Sequence, residues 1–412
     1  MQSLEKTLVL ASALLALPAS AETLTLEQAV ERARERSPEV QLAARVVDEA
    51  DATRVGAGVF LPTNPRIFAD YRPLVIELPG SPVDPRNGYN VGINGDIEVS
   101  GAGFARVEEA NRRVEVARAE LDWERRRAAA RAWVAYIDVL LSDQRVERIQ
   151  EALAVQKRVA DAARERVSAG VAGEPEMTTV QVEVASAERD LIEAQRLQQT
   201  ARLELTNVLD AEPGTVWELK ATALEPSAAP SEQELVERAL ENRPELAVVK
   251  ARLALLETME SRLAREGFPK LGLNLGLDVA PASPGFLYAG LALELPVQRN
   301  QGPQAVARAQ QETEKARLQA QLRRVAREVA VARRSYEARR QQVAVLATQA
   351  LPSARRTQEL IEQGWRAGRF DVFRLTTAAR DVLRLEREQI ETLSAAWSDW
   401  VELQRASGGL NK

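Results

Sequence analysis

The stretch LGLNLGLDV, residues 271–279, alternates strictly between two kinds of residue. Leucine or valine occupies every odd position, and glycine, asparagine or aspartate occupies every even position. A period of two is typical of a β-strand with one apolar and one polar face. GYNVGINGDIEV (88–99) and LYAGLALEL (287–295) follow the same pattern. The sequence predicts four strands, over about 66–77, 88–99, 270–280 and 286–296.

The rest of the chain has the composition of long polar helices. Of its 412 residues, 45% are hydrophobic, but only 4% are aromatic and much of the apolar content is alanine. Charged residues make up 28% of the chain, are well mixed in sign and give a net charge of −5. Such tracts of Ala, Glu, Arg, Gln and Leu indicate extended helices and coiled coil. No basic block is present, so nucleic acid is not an expected partner.

The first residues have the pattern of an export signal. Lys6 precedes the apolar run 7–17, and a small-residue cleavage site ends at Ala21. Residues 1–21 are therefore predicted to be a signal peptide, with Glu22 as the mature N-terminus; a buried N-terminal helix is the alternative. The apolar run is shorter than the roughly 20 residues that a membrane-spanning helix needs.

The two halves of the sequence echo each other about 200 residues apart. LTLEQAVERARERSPEVQLAA (24–44) matches SEQELVERALENRPELAVVKA (231–251), so that Pro38 corresponds to Pro244. A repeat of this length indicates a duplicated domain, because solenoid repeats run to about 20–50 residues. We predict a first repeat over 22–211, a linker in the equatorial region over 212–230, a second repeat over 231–406 and a C-terminal tail over 407–412.

Each repeat has the same predicted order of elements. One helix (26–58 or 231–267) precedes two strands, a very long helix, a glycine-containing break and a second long helix. The helices over about 105–169 and 303–367 would each reach about 100 Å at ~1.5 Å per residue. Small apolar residues recur in them at spacings of four and three, as at Ala110, Val114 and Ala117 and again at Val325, Val329, Ala332 and Tyr336. This spacing predicts a heptad-like packing seam.

The strand lengths and the polar helices together favour a membrane barrel. A strand of roughly 9–11 residues crosses a bilayer. A soluble β-sandwich would use the same alternation, but these helices supply no thick apolar core to cover a sheet. Four strands cannot close a barrel alone, since small barrels need about eight, and lipid tolerates no unpaired edge. Several chains are expected to build one barrel, with Val91, Ile93, Ile97, Leu271, Leu273, Leu275, Leu277, Leu291 and Leu293 facing lipid.

Three stretches resemble a known family. ELPVQRNQGPQAVARA (294–309) resembles the strand-to-helix junction of TolC-like outer-membrane efflux proteins, particularly the cobalt–zinc–cadmium efflux subgroup. RVSAGVAGEPEMTTVQVE (166–183) and WRAGRFDVFRLTTAARD (365–381) resemble the two helical-hairpin tips of that family. The first tip departs from the pattern, with Val167 in place of an aromatic residue and Glu174–Met177 in place of an acidic-Val-Leu run. The lipidated N-terminal cysteine of many relatives is also missing, because the sequence has no cysteine.

The resemblance implies a mainly α fold with a small β part. Each chain would supply duplicated long coiled-coil helical hairpins and four transmembrane β-strands to a homotrimer. The trimer would form a 12-stranded β-barrel in the outer membrane, continuous with a periplasmic α-helical tunnel. The implied role is the exit duct of a tripartite efflux pump for heavy-metal cations. Its implied partners are a periplasmic membrane-fusion adaptor, an inner-membrane transporter of the RND type and outer-membrane lipid, with no cofactor.

Charged residues at the breaks between the long helices are candidates for a periplasmic gate. Glu174 and Glu176 lie at the first break, and by resemblance Asp371 and Arg374 at the second are the best candidates. Three copies of one carboxylate around an axis would favour cations, although ordinary N-cap chemistry explains the same residues equally well. The expected adaptor contacts at the tips are Gly170, Val171, Ala172, Gly368, Arg369 and Phe370, where glycine is also a common helix-terminating residue.

Catalytic chemistry and metal binding have little to use in this sequence. The chain has no histidine and no cysteine, which removes the commonest general base and leaves only Met177 and Met259 as soft metal ligands after signal cleavage. SGAGFAR (100–106) lacks the third glycine of a dinucleotide-binding loop and fits a tight turn. We therefore expect that the protein is not an enzyme and has no metal site. Separately, the pair Trp397 and Trp400 is expected to pack in the equatorial belt of the helical tube. A drug-efflux or type I secretion channel remains an alternative, as does a periplasmic coiled-coil scaffold or adaptor.

Overall fold

The computed structural model describes residues 22–409 apart from 62, 73–87, 213, 221–225, 280–283, 295–296 and 298. The predicted signal peptide lies outside the described residues, as do the last residues of three of the predicted strands. Parts of the predicted linker and of the C-terminal tail are outside them too.

Fifteen named elements follow one another in the described chain. They are β1 (Glu22–Leu24), α1 (Leu26–Arg36), α2 (Pro38–Ala57), β2 (Arg66–Arg72), β3 (Gly88–Glu98), α3 (Ala102–Ser168), α4 (Glu174–Val208), β4 (Trp217–Leu219), α5 (Glu232–Asn242), α6 (Pro244–Glu266), β5 (Lys270–Val279), β6 (Phe286–Leu293), α7 (Gln301–Val345), α8 (Leu351–Arg366) and α9 (Val372–Ser407). A π-helical turn, Leu346–Ala350, joins α7 to α8 next to Pro352.

The prediction of one helix at the start of each repeat is wrong. The chain breaks at Ser37 and again at Arg243, so that α1 and α2, and α5 and α6, are separate helices. Each break residue has an extended ψ, 143° at Ser37 and 123° at Arg243. The cause is the proline that follows, because a proline ring disfavours helical geometry in the residue before it. Pro38 and Pro244 then begin the next helix, where the missing N–H costs nothing.

The predicted packing seams of the long helices are confirmed. Ala110, Val114 and Ala117 on α3 are at most 5% exposed. The four corresponding seam residues on α7 are buried as well: Val325, Val329, Ala332 and Tyr336. Small residues at these positions let neighbouring helices approach closely. Among the described residues, no helix is both long enough and apolar enough to cross a membrane.

The four longer strands form one antiparallel sheet in the order β2–β3–β5–β6. The strand pair of the first repeat therefore meets that of the second through β3 and β5. The register sets Val91 opposite Leu277 and Ile93 opposite Leu275. Since side chains alternate across a strand, this register puts most of the large apolar residues of the four strands on one face, whereas Phe68 and Phe286 lie on the other.

The chain divides into two compact units, and each takes in parts of both halves of the sequence. One consists of Met1–Ser37, Ala128–Ala229 and Ser335–Val401; the other consists of Pro38–Arg127, Pro230–Arg334 and Glu402–Lys412. In the first unit β1 pairs in parallel with β4. The buried Tyr136 hydroxyl donates to the carbonyl oxygens of Leu24 and Lys220, at 2.9 and 2.7 Å, and so fixes this pair against α3. The second unit contains the four-stranded sheet.

Candidate functional site

The apolar face of the sheet is open to solvent on all four strands. Leu273, Leu275 and Leu277 on β5 are 38–54% exposed, and Leu287 on β6 is 83% exposed. The other large residues of this face with substantial exposure are Ile67, Tyr71, Tyr89, Val91, Ile93, Val279, Leu291 and Leu293. Ile97 and Leu271, which the sequence also predicted to face lipid, lie on the same face and are half-buried. A contiguous apolar surface of this kind is rare on a soluble monomer.

The opposite face of the sheet is polar and carries its own network. The Arg72 guanidinium on β2 lies 2.5 Å from the Asp278 carboxylate on β5, reaching across β3. Arg106, in the first turns of α3, pairs with Glu98 at the end of β3 at 2.7 Å. Between these pairs lie asparagines, with Asn94 directly opposite Asn274. The sheet thus has one hydrophobic face and one mainly polar face.

Both edges of the sheet are open. In the described chain β2 pairs only with β3, and β6 pairs only with β5. Each edge strand therefore presents backbone N–H and C=O groups along one side. Exposed edges of this kind are templates for pairing with another chain.

In the first unit, the two hairpin tips (169–173 and 367–371) end their helices in the same way. Gly170 and Gly368 have φ values of +73° and +72°. The next residue at each tip donates its N–H to a carbonyl five residues back, Val171 to Arg166 at 2.9 Å and Arg369 to Gly364 at 2.8 Å. This is the left-handed ending that glycine permits without strain. Of the other predicted tip contacts, Val171 is 68% exposed, whereas Ala172 and Phe370 are half-buried.

The gate candidates of the second tip adopt capping geometry. The Asp371 carboxylate accepts a hydrogen bond from the backbone N–H of Arg374 at 2.9 Å, and it thereby caps α9. The Arg374 guanidinium lies over the Phe370 ring, 5.3 Å from its centroid. Both charged side chains are exposed. The structure therefore brings Asp371 and Arg374 together through the backbone, as the N-cap alternative expects.

The gate candidates of the first tip differ from each other. Glu174 is exposed in the first turn of α4. Glu176 instead accepts a hydrogen bond from the Trp365 indole N–H at 3.2 Å and lies 3.5 Å from the Arg166 guanidinium. Arg166 also lies over the Trp365 ring, 5.6 Å from its centroid. Three residues therefore link the two hairpins at their tips, and sequence analysis identified only Glu176.

Ion pairs continue this link along α4 and α9. The almost fully buried Glu183 carboxylate accepts two hydrogen bonds from Arg380, and this contact raises the pKa of Arg380. One heptad further on, Arg387 pairs with Asp190 at 3.3 Å. These ion pairs were not predicted from the sequence. The signal available was an acidic residue on α4 and an arginine on α9, each repeated at a spacing of seven.

An apolar cluster lies beneath the charged link. Val159 and Ala163 of α3, Val180 of α4, Trp365 of α8, and Val372 and Leu375 of α9 are buried together. Four helices of the unit, α3, α4, α8 and α9, contribute to it. The two hairpins are thus packed as well as hydrogen-bonded near their tips.

The predicted tryptophan pair is part of a trio. Trp397 and Trp400 on α9 lie 5.4 and 4.6 Å from Trp133 on α3, measured between ring centroids. The pair belongs to the compact unit that also holds the hairpin tips. Its place in an equatorial belt stays a prediction.

Metal ligation finds no support in the side chains that the structure describes. Within the described ranges no group of three or more Asp or Glu residues is placed to hold an ion. What the described residues offer is a sheet with one exposed apolar face, one polar face and two open edges.

Comparisons with known proteins show similarity to outer-membrane efflux proteins. Residues 85–211 match the family described as outer membrane efflux protein. Over 320 residues the chain is 27% identical to the cobalt-zinc-cadmium resistance protein CzcC of Cupriavidus metallidurans, covering 77% of this chain and 76% of that protein.

Solved structures agree on the fold. The CmeC outer membrane channel of Campylobacter jejuni superposes with a TM-score of 0.76 at 15% identity, over 99% of this chain and 94% of that one. The outer membrane protein VceC of Vibrio cholerae superposes with a TM-score of 0.74 at 18% identity, over 93% of this chain and 96% of that one. The predicted fold class is confirmed.

The resemblance to outer-membrane efflux proteins is likewise confirmed. The chain is similar to transport channels and not to enzymes. Its location is the outer membrane.

Proposed function

We propose that this outer-membrane efflux channel is the homotrimeric exit duct of a tripartite pump that exports heavy-metal cations. Three four-stranded sheets complete one barrel, and the long helices form the tunnel on its periplasmic side. A periplasmic adaptor opens the tunnel, and an inner-membrane transporter of the RND type supplies the energy. Because the described part of the chain holds no group of three or more carboxylates placed to retain an ion, selection of the exported cation rests with that transporter.

The observation that carries this proposal is the open sheet with one exposed apolar face. An open sheet cannot remain in lipid, since each unpaired backbone group there costs several kcal/mol. Pairing β2 of one copy with β6 of the next removes both free edges at once. The apolar face then meets lipid and the polar face lines a hydrated lumen.

Strand length and aromatic placement agree with a bilayer. The ten residues of β5 match the roughly 9–11 that a tilted strand needs to cross the hydrocarbon core. Tyr71 and Tyr89 lie side by side on the apolar face at the sheet end next to the β2–β3 connection, with ring centroids 5.2 Å apart. Tyrosine at that level is typical of the aromatic girdle at a membrane surface.

Metal export is supported by the relative that matches over most of the chain, whose name describes cobalt, zinc and cadmium resistance. A drug-exporting or protein-secreting duct would use the same barrel and tunnel. The exported cargo is therefore tested separately from the channel.

The channel is tested by fractionation and recording. We expect the chain in the outer-membrane fraction, soluble only in detergent, and a cation-selective conductance after reconstitution into planar bilayers. A chain recovered in the periplasmic supernatant would support the scaffold alternative instead. For the cargo, a deletion strain should become sensitive to cobalt, zinc or cadmium and regain resistance on complementation. Unchanged metal sensitivity together with new drug sensitivity would favour the drug-efflux alternative.

A further inference from the structure

On the polar face of the sheet, an aromatic ring lies flat over a glycine. A Cβ added at Gly276 on β5 would lie 2.6 Å from the Tyr288 hydroxyl oxygen on β6 and 2.7–2.8 Å from two carbon atoms of its ring. Carbon atoms do not approach that closely, so the ring occupies the space that a side chain at position 276 would fill. Tyr288 therefore packs against the wall of the sheet because residue 276 has no side chain.

A hydrogen bond holds the ring in this position. The Tyr288 hydroxyl donates to the Asn90 Oδ1 on β3 at 3.0 Å. To reach Asn90 the ring crosses the whole of β5, since β5 lies between β6 and β3. Tyr288 is thus fixed at both ends, by its own backbone in β6 and by an acceptor two strands away.

The same arrangement recurs at the same level of the sheet. Gly92 pairs with Gly276, and Phe68 pairs with Gly92. A Cβ added at Gly92 would lie 2.6 Å from the Phe68 ring, and also 2.5 Å from the Leu275 backbone oxygen. One row across the sheet therefore reads Phe68, Gly92, Gly276, Tyr288, with an aromatic residue on each edge strand and glycines between. Glycine beneath an aromatic side chain is a known device for packing rings along a sheet.

We propose that Tyr288, laid flat over Gly276 and anchored to Asn90, sets the size of solute that the barrel lumen admits. This inference rests on the proposed function, in which the polar face lines the lumen. Three copies of each ring would then surround the lumen at one level. Rings lying along the wall keep that level open to hydrated ions, whereas rings standing upright would narrow it.

Gly276 separates this role from general damage to the sheet. The three nearest atoms that an added Cβ would meet at Gly276 belong to the movable Tyr288 side chain, whereas at Gly92 the nearest atom is a backbone oxygen. Gly276→Ala is therefore expected to lift the ring and leave the strand pairing in place. Gly290 on the same face is the matched control, because its nearest atom to an added Cβ is 3.7 Å away, an ordinary contact.

Because the sequence has no cysteine, one introduced cysteine is the only thiol that a maleimide can label, and its labelling rate reports how freely reagents enter the lumen. Asn94→Cys places a single thiol on the polar face. It lies two residue pairs beyond the Gly92–Gly276 pair, counted from the sheet end that holds the β5–β6 connection. Membrane-impermeant maleimides of increasing size are added outside intact cells that produce this variant. Reagents that enter from outside must pass the level of Tyr288 before they reach the thiol.

Adding Gly276→Ala to this variant is expected to slow labelling by the largest reagents and to leave the smallest reagent unaffected. Gly290→Ala should leave all rates unchanged, and Tyr288→Ala added to Gly276→Ala should restore the rates. Equal rates with and without Gly276→Ala would overturn the inference. If Gly276→Ala fails to assemble, Asn90→Ala releases the hydroxyl without crowding the ring, and unchanged labelling there would overturn it.

Failure of the proposed function gives a different result. An Asn94→Cys chain found in the soluble periplasmic fraction, or labelled by reagents of every size, would contradict the duct itself. A membrane-bound chain with a size limit that Gly276→Ala and Asn90→Ala do not move would contradict only the role of Tyr288.

Discussion

Arg380 on α9 donates two hydrogen bonds to the buried carboxylate of Glu183 on α4. One of the two hydrogen bonds joins Arg380 Nε to Glu183 Oε2 at 2.8 Å. The Glu183 side chain is only 7% exposed, whereas that of Arg380 is 60% exposed. The pair therefore joins a shielded anion to a cation that still contacts water, and it connects one helical hairpin to the other.

Removing only the cation should be costly. Arg380→Ala leaves the Glu183 carboxylate buried without its partner, and breaking such a pair costs roughly 3–5 kcal/mol when both charges are buried. Because Arg380 is more than half exposed, we expect a smaller loss, about 2 kcal/mol. Thermal denaturation of the detergent-solubilised protein would measure it as a lower Tm.

Two further variants identify the cause. Arg384→Ala removes an exposed arginine that pairs with Asp381 three residues away on the same helix, and it should change Tm little. The double variant Glu183→Ala/Arg380→Ala removes both charges and should be more stable than Arg380→Ala alone. If the Tm loss of the double variant equalled the sum of the losses of Glu183→Ala and Arg380→Ala, the interaction between the two side chains would not be the source of the stability.

Asp371 combines a cap with a charge, and two substitutions separate them. Asp371→Ser retains an oxygen that can cap α9, so we expect near-normal stability. Asp371→Ala should lose about 1 kcal/mol. If the charge also gates the tunnel, the Asp371→Lys channel will leak small solutes and show lower cation selectivity in planar bilayers. The Asp371→Ser channel will show lower cation selectivity without the leak. Unchanged conductance and selectivity in both variants would leave Asp371 as a cap and remove it from the gate.

Gly368 tests whether the tip needs its left-handed backbone. A Cβ would meet no atom within 4 Å at Gly368 or at Gly302, but only Gly368 has a positive φ, +72°. Gly368→Ala should therefore destabilise by about 1 kcal/mol. Gly302→Ala, in the first turn of α7, should be neutral or slightly stabilising. Equal Tm changes in the two variants would contradict this account of the tip.

Asp138 predicts a pH dependence of stability. Burial raises the pKa of its carboxyl above the usual value, although the Ser394 hydroxyl, which donates to Asp138 Oδ1 at 2.9 Å, acts in the opposite direction. A raised folded-state pKa means that the protonated form is favoured in the fold. The resulting stability is present below the unfolded pKa of about 4 and is lost as the pH rises through the folded pKa.

Asp138→Asn removes this titration and keeps an oxygen for Ser394. The variant should match the parent near pH 4 and become the more stable of the two as the pH rises to about 7. Melting curves across that range measure the difference. Asp381→Asn, at an exposed carboxylate, is the control and should show no such trend. If the parent instead became more stable than Asp138→Asn as the pH rose to about 7, the stability difference would have the opposite sign and the argument would be contradicted.

Local patterns in the sequence were enough for the strands and the long helices. Alternation at residues 271–279 specifies which side chains share a face, and the register of β3 with β5 follows once those faces align. The helix break at Ser37 was missed although Pro38 follows it directly, because the apolar pattern continues across the proline. β1 and β4 were missed because strands of three residues carry no periodic signal.

Contacts between distant residues lay beyond the sequence. The Glu176–Trp365 hydrogen bond joins residues of different hairpins, and neither residue is unusual in its own helix. The space beneath Tyr288 depends on which residue of β5 lies opposite it. A pattern in one strand shows that position 276 is glycine, but only the pairing shows which ring needs that glycine.

The central claim is that separate copies complete the sheet, and the most direct test is the mass of the purified assembly. The chain should be extracted in detergent, and its protein mass measured by light scattering or native mass spectrometry. We predict three copies per particle, each close to the 45.4 kDa of the full chain less any cleaved signal peptide. A single copy that stays soluble without detergent would contradict the account, because its two sheet edges and its apolar face would then need no other chain.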